Sequence, residues 1–172
     1  YSYNGDKLVD KDGNNVKLSI LTYSAKPDLP IIGQVLVSDL EQVGIEATVR
    51  LADSIDEEAA KGDYDILLYA QNPTASGNPH YFFAQHFKTG SVKNHSYYGN
   101  EEVDKLIDEL GVKTDHAKRD ELSKEIQAKI YEDLPILYTV DPHWFVMLSD
   151  KVKGYEIWNG DYFVTNPTLK VR

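Results

Sequence analysis

Between Val16 and Leu51 the hydrophobic pattern changes period twice, and no other feature restricts the fold as much. "VKLSILT" sets Val16, Leu18 and Ile20 against Lys17 and Ser19, an alternation that gives one apolar face only to an extended strand. After "AKPDLP", Ile32, Val35, Leu36, Leu40 and Val43 recur at intervals of three and four, which is a helix face. Pro30 suits the first turn of that helix and Gly44 suits its stop. "IEATVRL" then alternates again through Ile45, Ala47, Val49 and Leu51. A strand, a helix and a second strand in so short a span form a crossover unit, so the two strands are expected to pair in parallel.

The pattern continues on both sides. "DKDGNN" at 10–15 reads as a turn around Gly13, and Asp53 to Gly62 as a short acidic helix. In "YDILLY" the run Ile66-Leu67-Leu68 does not alternate, which predicts a strand covered on both faces and central in the sheet. Asn100 caps a helix with Val103, Leu106, Ile107 and Leu110 on one stripe. A second helix buries Leu122, Ile126 and Ile130 and leaves "DHAKRDE" wet. "LPILYTV" and "HWFVMLS" read as two closing strands joined at Asp141-Pro142, and the aromatic tail holds a short strand near Thr168–Val171. The expected fold is α/β, a lobe with a mixed, largely parallel sheet flanked by helices, covering residues 1–172 as one domain.

Composition narrows the function. With 172 residues, 41% hydrophobic and 27% charged, the chain can bury a core of its own. A net charge of −10 repels phosphates, so nucleic acid is not an expected partner. The absence of cysteine excludes disulfides and thiolate chemistry and fits an extracytoplasmic bacterial protein. No apolar run approaches the roughly 18 residues that span a bilayer. The opening "YSYNGDKL" lacks an initiator Met, and a processed or excised segment is expected. Enzyme signatures are missing: no nucleophile elbow, no phosphate-cradling loop around the lone Gly77, no HExxH helix, and no carboxylate placed to orient His80 toward Ser76. The chain therefore reads as a non-enzyme without a resident cofactor.

Ligands of open α/β sheets bind just beyond the carboxyl ends of parallel strands. The stretch from Tyr69 to Phe87, "YAQNPTASGNPHYFFAQHF", begins there and is longer than the two to six residues a plain connection needs. Tyr69, Asn72 and Thr74 are its expected ligand contacts, with Asn72 and Thr74 as donors to a carboxylate and tyrosines as walls. Of the five histidines, His116 suits a solvated cap and His143 a surface or core position. His80 and His86 stand six apart and share a helix face poorly, so one of them should pack. His95, in "SVKNHSYYGN" beside Tyr97 and Tyr98, offers a neutral imidazole suited to nickel, copper or zinc.

"KLSILTYSAKPDLPIIGQVLVSDLEQVGIEATVRL", "GDYDILLYA", "GNPHYFF", "NHSYYGNEEVDKLIDEL", "EDLPILYTV" and "LSDKVKGYEIW" together resemble one family, in order and over nearly the whole chain. It is the family of extracellular solute-binding proteins of peptide and nickel ABC transporters (family 5). The resemblance implies the C-terminal lobe of a two-lobe protein that closes over its ligand and feeds ABC permease subunits. It also implies a periplasmic or cell-surface location, with membrane contact through a lipid anchor or the permease. Peptide binders of the family usually carry a tryptophan on this loop, and an aspartate three residues before an Asp-Pro or Glu-Pro pair. Here the pair is Asn78-Pro79, Ala75 stands three residues earlier, and Asn72 and Pro73 occupy the tryptophan region. The nickel branch also lacks the aspartate and places a histidine on the following loop, for which His86 and His95 are the candidates. The expected ligand is therefore a nickel or other transition-metal chelate held by His95 or His86 with Tyr69, Asn72, Thr74 and Tyr97. The alternative is an oligopeptide or dipeptide.

Overall fold

A computed structural model describes residues 1–73, 77–143, 145–156 and 168–171. The predicted crossover is present: β3 (Lys17–Tyr23), α1 (Asp28–Gln42) and β4 (Glu46–Ala52) follow one another, and β3 and β4 pair in parallel from Lys17↔Glu46 to Tyr23↔Ala52. Before them, β1 (Ser2–Asn4) and β2 (Lys7–Val9) form a hairpin that the sequence did not announce. Gly44 ends the α1 region at φ +77° and accepts a hydrogen bond from the Leu8 amide. A Cβ there would lie 2.4 Å from the Asp6 carbonyl oxygen, so only glycine lets the hairpin approach.

After α2 (Ile55–Lys61), which stops at left-handed Gly62, the chain returns as β5 (Ile66–Leu67), parallel to β3. The strand order is β4-β3-β5. The expectation that "YDILLY" is central is thus corrected: β3 is the middle strand, and β5 lies at the edge among the described residues. An apolar run reports coverage of both faces, and helices cover an edge strand as readily as a central one. The antiparallel pairs β1–β2 and β6 (Val152–Lys153) with β7 (Lys170–Val171) form ladders of their own beside a wholly parallel three-stranded sheet.

The helix over 28–42 turns a slightly different face inward than its spacing suggested. Leu29 and Gly33 are its buried residues, whereas Val35 and Val43 are about half exposed. Gly33 brings the helix close to the sheet: a Cβ there would sit 3.1 Å from Val49 and 3.4 Å from Leu68. Ile20, Leu21 and Thr22 of β3 are fully buried beneath this layer.

A second core lies among helices. Here α3 (Pro79–His86) is an element the sequence reading left inside a loop, although Asn78 is its N-cap, accepting from the His80 amide, and Pro79 its first residue. It packs with α4 (Glu101–Val112) and α5 (His116–Asp133) through Phe82, Phe83, Phe87, Val103, Ile107, Leu110, Ile126 and Ile130. The predicted cap holds, since Asn100 Oδ1 accepts from the amides of Glu102 and Val103. Arg119 of α5 donates to Asn78, which ties this core to the start of α3.

"LPILYTV" and "HWFVMLS" are not strands over their described residues, and Leu137, Phe145 and Met147 are largely exposed. No strand pairs with either segment among the described residues.

The two cores make the central strand the stability determinant. Leu21→Ala is expected to cost about 2–5 kcal/mol, and Glu57→Ala on exposed α2 less than about 0.5 kcal/mol. Urea unfolding of the two variants, followed by circular dichroism, checks this; equal midpoints would refute the placement of the sheet.

Candidate ligand-binding site

The carboxyl ends of β3 and β5, and the helix that follows β4, bring three side chains together. Tyr23 is the last residue of β3, Tyr69 follows β5, and Asp56 lies in the first turn of α2. The Tyr23 and Tyr69 rings stand 6.0 Å apart. Tyr69 donates its hydroxyl proton to Asp56 Oδ1 at 2.9 Å, and the Tyr23 hydroxyl accepts from the Ala70 amide at 3.3 Å. On its other side Tyr69 meets two histidines, with ring centroids 5.6 Å from His95 and 6.2 Å from His86. The cluster therefore sits on the seam where the sheet meets the helical core.

A buried asparagine shapes the loop that carries His95. Asn94 donates to the carbonyls of Lys88 at 3.2 Å and Tyr98 at 2.7 Å, and its Oδ1 accepts from the Tyr98 amide and Ser96 Oγ. Ser91 Oγ donates to the Gln85 carbonyl at 2.6 Å, and Tyr64 donates to the His95 carbonyl at 3.0 Å. Side chains thus supply backbone partners that regular structure would otherwise provide.

The electrostatics single out His95. Its Nε2 is sealed from solvent without a hydrogen-bond partner among the described residues. The nearest carboxylate oxygen, Asp56 Oδ1, is 4.0 Å away, beyond hydrogen-bond range. Asp56 Oδ2 lies 3.6 Å from Lys93 Nζ. Burial holds His95 below the ordinary histidine pKa, opposed by Asp56 and aided by Lys93. Burial also lowers His86, opposed by a contact between its Nδ1 and the Lys93 carbonyl at 3.3 Å. Both imidazoles are therefore biased to the neutral form that a metal requires. Burial and then the Asp56 hydrogen bond push the Tyr69 phenol up, so it remains a donor at neutral pH.

Of the residues singled out from sequence, Tyr69, His86 and His95 come together. Asn72 is exposed on the loop beyond Tyr69, and Thr74, with Ala75 and Ser76, lies outside the described residues. Tyr97 turns outward at φ +54°, with its hydroxyl beside Gly62. His80 packs against Gly111 of α4, so both His80 and His86 pack. Sequence reasoning passed over Tyr23, Asp56, Lys93 and Asn94. The carboxyl-end rule finds Tyr23 and Asp56, because each stands at or just past the end of a parallel strand; nothing in the sequence marks Asn94. Among the described residues no three His, Cys, Asp or Glu side chains converge on a common point. Two open depressions of the surface lie at the opposite, amino-terminal edge of the sheet, lined by Asp10, Asn14, Lys17, Glu46 and Asp65 among others. There Asp65 accepts from the Ser19 amide, Asp10 from its own turn, and Glu46 pairs with Lys17. These polar groups serve the fold.

No protein-family model matches the chain. It is 30% identical to the nickel-binding protein NikA of Staphylococcus aureus over 87% of its own length and 32% of that protein. It is 28% identical to the probable D,D-dipeptide-binding periplasmic protein DdpA of Escherichia coli over 96% of its own length and 31% of that protein. Among solved structures, that of Staphylococcus aureus NikA with Ni(L-His)2 superposes on 95% of this chain and 35% of its own, with a TM-score of 0.74 at 24% identity. The chain thus spans about a third of the length of the curated relatives it matches.

Two outcomes follow from this geometry. Asn94→Ala, which strips partners from buried carbonyls, is expected to destabilise the fold by about 1–3 kcal/mol, read by thermal or urea unfolding. Both histidines are held below the ordinary value of 6.5 in the folded chain. The unfolded chain therefore binds more protons in that window, and the stability is complete above about pH 6.5 and lost as pH falls through the folded values. A His86→Gln/His95→Gln variant should show a flatter stability profile between about pH 7 and 5; an unchanged profile would refute the assignment.

Proposed function

We propose, because the chain belongs to the family of extracellular solute-binding proteins that serve peptide and nickel ABC transporters, that it is the C-terminal lobe of a two-lobe protein delivering a nickel or other transition-metal chelate to its importer. The observation that carries the metal reading is His95, a largely enclosed imidazole biased to the neutral form, clustered with Tyr69 and His86 at the carboxyl edge of the sheet. Among the described residues no cage of three ligands surrounds it, so a metal bound here brings most of its donors with it. That favours a chelate over a bare ion. The nickel-binding name of the Staphylococcus aureus relative supports the same choice.

In this reading the ligand lies between two lobes, and closure over it is driven by its greater affinity for the closed state. The exposed apolar side chains of Leu137, Phe145 and Met147 support a second lobe that covers them. The role is binding rather than catalysis. Its partners are the ligand and the ABC permease subunits, not nucleic acid. The location is the periplasm or the cell surface as a lipoprotein, which the periplasmic relative supports. No helix among the described residues is long and apolar enough to cross a membrane. Asn72, Thr74 and Tyr97 remain proposed contacts, along with Tyr69, His86 and His95.

One observation favours the peptide alternative. Asp56 presents a half-exposed carboxylate within the cluster, and a buried peptide ammonium needs such a partner. Titration calorimetry on the full-length protein separates the two. Nickel with L-histidine is expected to bind, and di- and tripeptides without metal are not. His95→Ala should weaken nickel–histidine binding at least tenfold, about 1.4 kcal/mol. Tight metal-free peptide binding that survives replacement of both His86 and His95 would overturn the metal reading.

A further inference from the structure

Asp56 stands where it can govern how His95 presents itself. Its carboxylate already accepts the Tyr69 hydroxyl through Oδ1 and faces Lys93 through Oδ2. Oδ1 also faces the sealed Nε2 of His95 at 4.0 Å. A carboxylate offers about four lone-pair directions, so Oδ1 can serve both the tyrosine and the imidazole. A buried N–H without an acceptor is unfavourable, and among the described groups near this nitrogen Asp56 supplies the acceptor. Lys93 cannot accept a proton from the ring, and the Tyr69 hydroxyl, which donates to Asp56, makes no hydrogen bond to Nε2.

We infer that Asp56 is the positioning residue of this site: it holds the His95 proton on Nε2, so that the ring presents the Nδ1 lone pair to the metal of the chelate. The inference rests on the metal-chelate reading above. Its chemical basis is general. A histidine that ligates a metal usually donates its other ring N–H to a carboxylate or carbonyl, which fixes the tautomer and raises the basicity of the ligating nitrogen. The 4.0 Å separation closes to a hydrogen bond by a small movement of α2, whose first turn is exposed and carries Asp56. The backbone of His95 stays fixed meanwhile, because Tyr64 and the Asn94 network hold it. Nothing in the sequence marks this role, since Asp56 sits in a run of acids on a wet helix.

The test uses the full-length protein labelled with 15N, and His95→Gln assigns the imidazole signals. The expected result is a proton on His95 Nε2, protected from exchange when nickel and L-histidine are bound. Asp56→Ala should give a mixture of tautomers and weaken nickel–histidine binding by about 10- to 100-fold, and Asp56→Glu should recover part of both. A proton on Nδ1 in the wild type overturns the inference, as does Asp56→Ala binding within threefold of wild type. If nickel and histidine do not bind the wild type at all, the chelate reading fails, and the tautomer in the unliganded protein still decides what Asp56 does. The wild-type tautomer needs no variant, so poor folding of Asp56→Ala leaves the inference open to refutation.

Discussion

The parallel pairing of β3 with a strand on each side is the constraint on which the rest of the molecule depends. Parallel neighbours require crossovers, so α1 and α2 must return the chain across the sheet, and the three strands must end at one edge. Ile20, Leu21 and Thr22 are fully buried in the middle strand, and even the Thr22 hydroxyl is satisfied, donating to the Leu68 carbonyl at 3.3 Å. Because those ends coincide, Tyr23, Asp56 and Tyr69 become neighbours although they are far apart in sequence.

The second determinant is the seam between the two cores. Helices α3, α4 and α5 close on each other around Phe82, Phe87 and Ile107, and only their margin meets the sheet. His86 lies on that margin, its ring 5.1 Å from Phe82 and 6.2 Å from Tyr69. His95 arrives from the following loop, whose irregular path is held by Asn94 rather than by a ladder or helix. A sealed imidazole nitrogen is unusual in such a loop, since connecting chain normally keeps its polar groups in water.

Much of the fold was legible before any coordinates. The crossover from β3 to β4, the short acidic helix, the caps at Asn100 and Gly44 and the stripes of α4 and α5 follow from periodicity and capping chemistry. "YDILLY" was placed centrally because its apolar run reports coverage, which does not depend on strand order. "LPILYTV" and "HWFVMLS" are apolar like strands, but among the described residues no strand pairs with them. The signal for α3 is short, an Asn78-Pro79 cap and first-turn proline opening a helix of only eight residues, so periodicity carries little weight there.

For the candidate site, the sequence by itself pointed to the stretch after the third strand and to His86 and His95 as candidate ligands, and its lack of cysteine excluded thiols from this chain. Those conclusions rest on composition and local order, which a sequence carries directly. Only the tertiary structure decided that His95 Nε2 is buried without a partner among the described residues, that Asp56 faces it and pairs with Lys93, and that Tyr97 is exposed while the rings of Tyr23 and Tyr69 meet. Desolvation and pairwise distance set those properties, and both arise from residues brought together across the sheet, where spacing along the chain carries no information.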